Sequence, residues 1–312
     1  MRLLFAGTKQ RGVNCLSALL ADGHEIAAVI CPPYVGAPKP GSVAESALHR
    51  GLRVATPPDV NAPQTVSELA ALQPELTVLA DFGQIVKQPF LGIAPRGAIN
   101  LHGGRLPEWR GSSPLNWVLI HGQSEFSISV IRVDLGVDTG DVLAEQTFRI
   151  DIDDTIATLH AQANECFPRL LSRVVREIAA GTVTGRRQDP SRAGYYPLRF
   201  PDDGFVLFDQ LTAHEVHNRI RALTDPYPGA FTFYQRRKVT LLASRLTERP
   251  FYGEPGRIYR KTGAGLLVCA KDRCLWILRA TFADDGQDAL AALPRYETLA
   301  TLQGLALAAL TT

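Results

Sequence analysis

The segment from Ala98 to Glu145, AINLHGGRLPEWRGSSPLNWVLIHGQSEFSISVIRVDLGVDTGDVLAE, holds three polar residues whose types and spacing suit chemistry. Asn100 and His102 stand two apart in the run Ile99-Asn100-Leu101-His102. An extended backbone therefore sends a carboxamide and an imidazole out of the same face. Gly103 and Gly104 follow, and their missing side chains let a ligand approach the backbone closely. Asp138 comes later, in the turn-rich GVDTGD after the β-prone run Ser127 to Val133. A carboxamide donates hydrogen bonds without titrating, and an imidazole exchanges protons near neutral pH. A carboxylate can orient that ring or stabilise its charge. Each residue also has a plainer use, as a satisfied polar group at a strand end or, for Asp138, as a turn residue before Thr-Gly.

The elements that must position these groups are legible in the apolar pattern. Leu3 to Ala6 is a short apolar run ended by Gly7, and VNCLSALLADG after Gly12 has helical spacing with Gly23 as its stop. A second apolar run, Glu25 to Cys31, completes a β-α-β unit. Ser42 precedes a helix through His49, Leu52 to Ala55 reads as a short strand, and Ala62 to Leu72 reads as a helix. Leu76 to Ala80 and Ala98 to Leu101 supply two further strands. Alternation of this kind predicts an α/β domain with a doubly wound, mostly parallel sheet. Such sheets bind ligands beyond the carboxyl ends of their strands, where Asn100 and His102 fall. GTKQRG at 7–12 is neither a GxGxxG fingerprint nor a phosphate-binding P-loop, so no nucleotide-redox cofactor is expected.

The stretch TVTGRRQDPSRAGYYPLRFPDD marks a boundary rather than an element. The expected division is a catalytic domain over 1–185, a linker over 186–204 and a second domain over 205–312. In the last, Ala213 to Leu223 reads as a helix. Ala230 to Tyr234, Val239 to Ala243, Gly265 to Cys269 and Leu275 to Ala280 read as strands of a small β-barrel.

Thirty-three Lys plus Arg against 31 Asp plus Glu leave a net charge of +2, so no global basic field recruits a polyanion. The five cysteines are odd in number and lack CxxC spacing, which argues for reduced thiols and against a zinc or redox site. MRLLFAGTKQRG lacks the features of a secretory leader, and no apolar run is long enough to span a bilayer. The expectation is a cytoplasmic enzyme without a metal.

The order N-x-H, LP-x-x-R-G and a downstream D-x-G resembles the folate-dependent formyltransferase superfamily, which includes methionyl-tRNA, glycinamide ribonucleotide and sugar-nucleotide formyltransferases. The resemblance implies a Rossmann-like catalytic domain, an OB-like barrel, and 10-formyltetrahydrofolate as formyl donor. It also implies a catalytic set mapping onto Asn100, His102 and Asp138. Attack of a neutral amine on a formyl carbonyl puts negative charge on oxygen and positive charge on nitrogen, so the site needs a donor and a proton acceptor. Asn100 would donate to the oxygen and His102 would exchange the proton. For Asp138, orienting the ring, stabilising its charge and relaying a proton through water all stay open.

By the same resemblance the pterin would lie against Asp81-Phe82-Gly83-Gln84-Ile85, with Leu101 and the loop from Asp134 to Asp141 opposite. The family usually carries Ser-Leu before Leu-Pro, where this chain has Gly104-Arg105. Arg105 either meets a phosphate or carboxylate of the substrate or points into solvent. Arg110 is grouped with it as a substrate contact.

The choice of amine rests on accessory residues. In the tRNA enzymes a basic insertion after the second strand contacts the acceptor stem, whereas PPYVGAPKPGS at 32–42 holds only Lys39, so RNA is not the expected partner. Gly41-Ser42-Val43-Ala44, the run Ser113 to Leu119, Pro201-Asp202-Asp203 and the run Asp225 to Phe231 are similar to the domain that formylates UDP-4-amino-4-deoxy-arabinose. By that analogy Arg199, Asp203 and Arg221 would hold a nucleotide diphosphate; a salt-bridged interface is their other reading. The expected substrate is a small primary amine on a nucleotide-linked sugar. Methionyl-tRNA, an ornithine-type amine, or a folate- or nucleotide-binding scaffold without activity are the alternatives. Assembly with further copies of the chain is left open.

Overall fold

Short runs of leucine and β-branched residues alternate with amphipathic segments through the first half of the chain. In the computed structural model, which describes residues 1–310, these runs line up in one seven-stranded sheet. Its first elements are β1 (Arg2–Gly7), α1 (Lys9–Ala21), β2 (Glu25–Ile30), α2 (Val43–His49), β3 (Val54–Ala55), α3 (Pro63–Ala70), β4 (Leu76–Ala80), α4 (Gln88–Leu91) and β5 (Ala98–His102). After them come β6 (Arg110–Gly111), α5 (Pro114–Ile120), β7 (Glu125–Arg132), β8 (Val142–Arg149), α6 (Ile156–Ala180) and β9 (Tyr195–Tyr196).

The sheet order is β3-β2-β1-β4-β5-β7-β8. β1 pairs in parallel with both β2 and β4, and β4 pairs in parallel with β5. The winding direction therefore reverses between β1 and β4, the position at which doubly wound sheets open a ligand crevice. β7 runs antiparallel to β5, with His102 opposite Ser129 and Asn100 opposite Ile131. The mostly parallel sheet thus carries an antiparallel edge, and β8, which the alternation did not mark, is its last strand. Leu3, Leu4, Phe5 and Ala6 are all fully buried, as expected for a central strand covered on both faces. α6, also unmarked in the sequence reading, buries Ala163, Phe167, Leu170, Leu171, Val174, Val175 and Ile178 at helical spacing while accepting Pro168 in its interior.

Several expected boundaries moved. α1 starts at Lys9 instead of after Gly12, because Thr8 is already extended and its carbonyl accepts the Gly12 amide. The third strand shrinks to Val54–Ala55, a short edge that limits free pairing groups.

The chain divides into two compact units, each continuous in space and not in sequence. Leu115–Glu125 and Arg149–His160 join the residues from Pro197 onward in the second unit, and the remainder forms the first. The second unit contains α7 (Ala213–Leu223), β10 (Ala230–Tyr234), β11 (Arg237–Leu246), β12 (Ile258–Thr262), β13 (Gly265–Cys269), β14 (Cys274–Phe282), α8 (Ala289–Ala292) and α9 (Leu302–Leu310). Its five strands form an antiparallel sheet in the order β10-β11-β14-β13-β12. α7 is started by a reciprocal cap in which Thr212 Oγ1 accepts the Glu215 amide and the Glu215 carboxylate accepts the Thr212 amide. All five cysteines are free and buried, and burial pushes the Cys15 thiol up to about 12. Among the described residues no group of three or more His, Cys, Asp or Glu is placed to hold a metal, and no helix is long and apolar enough to cross a membrane.

Candidate active site

β5 delivers Asn100 and His102 to one face near its carboxyl end. The loop after β7 returns toward them: Asp138 Oδ2 lies 3.5 Å from His102 Nδ1. The other ring nitrogen, Nε2, is 2.6 Å from the Trp109 carbonyl oxygen. That contact asks Nε2 to carry a proton, which leaves Nδ1 to face the carboxylate. A proton gained at Nδ1 would thus arrive beside a negative charge, and His102 is only 5% exposed, so little water screens the pair. Asn100 is half-buried, and among the described residues its carboxamide has no protein partner. It is a free hydrogen-bond donor two residues from the imidazole.

The Asp138 loop is shaped by its own sequence. Asp138 adopts φ 53°, a left-handed conformation that Asp tolerates in turns. Its Oδ2 accepts the Gly111 amide at 2.9 Å. A Cβ on Gly140 would sit 2.0 Å from the Arg132 carbonyl oxygen, which is why the D-x-G pattern needs glycine in third place. Asp134 accepts the Gly136 amide at 3.1 Å and the Thr139 hydroxyl, so its carboxylate organises the turn.

Of the Gly104-Arg105 pair, Gly104 has a local reason. A Cβ on Gly104 would lie 2.7 Å from the Trp109 carbonyl oxygen and 2.8 Å from His102 Nε2, inside the hydrogen bond that holds the ring. The Gly104 carbonyl in turn accepts Ser129 Oγ at 3.0 Å. Arg105 is exposed, and among the described residues its guanidinium has no partner.

The stretch Asp81 to Ile85 is anchored at the carboxyl end of β4. Asp81 Oδ1 receives Arg11 Nη1 at 3.0 Å, and Arg11 is stacked over the Phe167 ring. Gln84 spends its side chain on the Val60 amide (2.9 Å) and the Pro57 carbonyl (3.2 Å), so it braces the loop. Phe82 and Val133 pack against the same apolar cluster, and Leu101 is buried. Ile85, Leu135 and Val137 are exposed, and a Cβ on Gly83 would meet nothing. Exposed apolar side chains on two neighbouring loops fit the walls that a flat heterocycle requires. Asp141 is half-buried beside Gly185.

Arg110, expected among the substrate contacts, is buried and turned into the protein. Its Nε and Nη2 donate to Gln188 Oε1 at 3.0 and 2.8 Å, and its Nη1 donates to the Tyr195 hydroxyl at 2.7 Å. Its donors serve the framework of the site. Arg199, Asp203 and Arg221 belong to the second unit. There Arg199 lies over the Trp117 ring and donates to the Asp203 carbonyl at 3.0 Å, while the Asp203 carboxylate accepts the Phe200 amide at 2.7 Å. Arg221 is buried, bonded to Asn218 and to the carbonyls of Asp151 and Asp154. Burial lowers the pKa of both arginines; Asp203 opposes this at Arg199, and Asp154 and Asp153 at Arg221. The sequence does not point to the Trp109 carbonyl, the Gly111 amide or Gln188 as parts of the site. Two are main-chain groups that no residue type announces, and the third is distant in sequence.

Residues 1–175 match the family described as Formyl transferase, and residues 200–290 match its C-terminal domain. The chain is 33% identical over 301 residues to a methionyl-tRNA formyltransferase of Anaeromyxobacter dehalogenans, covering 94% of this chain and 95% of that one. Its fold is similar to an N-formyltransferase from Helicobacter canadensis in complex with folinic acid and dTDP-3-aminofucose (TM-score 0.71, 20% identity, 88% of this chain and 98% of that one). It is also similar to a sugar 3N-formyl transferase solved in the presence of dTDP and 5-N-formyl-THF (TM-score 0.68, 18% identity, 91% and 98%). With matches to both parts of the family and with a relative of that identity along nearly its whole length, the chain belongs to the formyl transferase family.

Proposed function

We propose that the chain transfers the formyl group of 10-formyltetrahydrofolate to the primary amine of a nucleotide-linked amino sugar, with Asn100, His102 and Asp138 as the reacting set. The observation that carries the reaction is a carboxamide without a partner among the described residues, two positions from an imidazole on one face of β5, with the Asp138 carboxylate from the loop after β7 lying 3.5 Å from that ring. The donor supplies an activated formyl carbon. Asn100 donates to the carbonyl oxygen as charge develops there. His102 takes the proton shed by the attacking amine and returns it to the folate nitrogen as the bond from that nitrogen to the formyl carbon breaks, and Asp138 stabilises the charged ring between the two transfers. Folate-containing structures of relatives support the identity of the donor.

For the acceptor, 32–37 are exposed and the whole loop 32–42 holds a single cation, Lys39, which is poor material for gripping RNA phosphates. Methionyl-tRNA remains a second reading, favoured by the 33% identity to an enzyme of that name. Incubation with 10-formyltetrahydrofolate and UDP-amino sugars, dTDP-amino sugars, charged initiator tRNA and ornithine, followed by mass spectrometry, separates them. Formylation of an amino-sugar nucleotide supports the first reading. Formylation of tRNA alone, with binding that weakens steeply as salt is added, replaces it with the second.

A further inference from the structure

Gln188 lies 48 residues beyond Gly140 and 78 beyond Arg110, yet it is buried between them. Its carboxamide is engaged at both ends. Nε2 donates to the main-chain carbonyls of Asp138 at 2.8 Å and Gly140 at 2.7 Å, and Oε1 accepts Arg110 Nε at 3.0 Å and Nη2 at 2.8 Å. Only one orientation of the amide satisfies these partners, because carbonyls accept and a guanidinium only donates. Arg110 is fixed in turn by the Tyr195 hydroxyl at 2.7 Å, by the Tyr195 ring, and by the pairing of β6 with β9 that sets Arg110 opposite Tyr195. The residue after Arg110, Gly111, donates its amide to Asp138 Oδ2 at 2.9 Å.

Asp138 is therefore gripped twice from one framework: its main chain by Gln188, its carboxylate by Gly111. This matters because φ 53° is a conformation that Asp tolerates without strongly preferring it, so contacts from the surroundings decide where its carboxylate points. We infer that Gln188 is a positioning residue for formyl transfer, whose two donated hydrogen bonds hold the Asp138 carboxylate at its distance from His102. The inference rests on the reading of Asn100, His102 and Asp138 as the reacting set.

Two substitutions separate positioning from packing. Gln188→Met keeps the length and removes every polar contact. Gln188→Glu keeps an acceptor for Arg110 and replaces the donor with an oxygen that faces two carbonyls. Both are expected to lower kcat by roughly 100-fold, with KM for the amine changing less than about threefold, because the reacting groups are misplaced; KM for the formyl donor is expected to rise as well, since Leu135 and Val137 of the same loop are read as its wall. Both are also expected to speed hydrogen exchange at the Gly111 amide by about tenfold or more, with the Leu101 amide of β5 unaffected. Parent-like kcat and Gly111 protection in Gln188→Glu would overturn the inference, since the Arg110 anchor alone would then suffice. Should Gln188→Met fail to fold, Gln188→Glu, with its charged partner for Arg110, still decides. The exchange measurement needs no substrate. If the parent formylates no amine, the proposed function falls, while Gly111 protection in Gln188→Glu still tells whether Gln188 holds the loop.

Discussion

Gly104→Ala adds one methyl group and tests how tightly the imidazole is held. The new carbon would lie 2.7 Å from the Trp109 carbonyl oxygen, 2.8 Å from His102 Nε2 and 3.0 Å from Trp109 Cβ. Carbon contacts normally settle near 3.5 Å, so a displacement of about 0.5 Å or more is required. The Trp109 main chain cannot readily give way: its amide donates to the Arg105 carbonyl at 2.9 Å, the Arg110 amide donates to the Gly194 carbonyl at 2.9 Å, and the Trp109 ring stacks on Tyr196 at 4.6 Å. The imidazole therefore moves and its 2.6 Å bond to the Trp109 carbonyl stretches. Gly104 is not among the positive-φ residues, so the effect is steric and not a backbone-conformation penalty. Overpacking of this kind costs about 1–3 kcal/mol. Each kcal/mol lowers Tm by about 2–4 °C in a domain of this size. Misplacing the ring is expected to reduce kcat by roughly 100-fold with a smaller change in KM. Thermal unfolding and steady-state formylation monitored by mass spectrometry read both quantities. Parent-like kcat and Tm together would refute the reasoning.

Three further outcomes follow from named contacts. Arg110→Met strands the buried Gln188 Oε1 and is expected to cost about 1–3 kcal/mol, measured by urea unfolding, whereas the exposed Tyr195 can turn its hydroxyl to water. His217 is held by Ser244 and the Ile152 carbonyl, and burial lowers its pKa below 6.5, with that carbonyl opposing the shift. The unfolded chain therefore takes this proton first, so stability is present above about pH 6.5 and is lost as pH falls below it. His217→Gln should flatten the dependence between about pH 7 and pH 5, and an unchanged slope would exclude the residue as its source. Ile85 is exposed, so Ile85→Asp should leave Tm unaltered while raising KM for the formyl donor by roughly tenfold, provided the pterin lies against that loop.

What the sequence made legible depended on how local the cause was. β4 and α7 appear with the expected bounds because each is defined by its own residues, a mostly apolar run in one case and the Thr212–Glu215 cap in the other. α6 escaped although its apolar stripe is regular and Gly181, at φ 71°, stops it, since Pro168 interrupts the pattern. β8 escaped because its outer half, Glu145 to Arg149, is polar and partly exposed, as suits an edge strand. In the site, the side chains were readable from type and spacing, and the supports were not. Arg110 shows the limit: a cation beside a reactive motif suggests a ligand contact, and only the fold reveals that Gln188 and Tyr195 have claimed it. The same holds for Gly104, whose reason lies in the approach of Trp109 to His102.

In the proposed reaction the carboxylate at 138 stabilises charge on the imidazole during formyl transfer. Asp138→Asn keeps size, tolerates the left-handed backbone, and can still accept the Gly111 amide through its carbonyl oxygen. Single-turnover formylation of the accepted amine, with Tm recorded alongside, isolates the charge. The account predicts a rate reduced by at least about 100-fold in a protein of parent-like Tm. A rate within a few-fold of the parent's would contradict it.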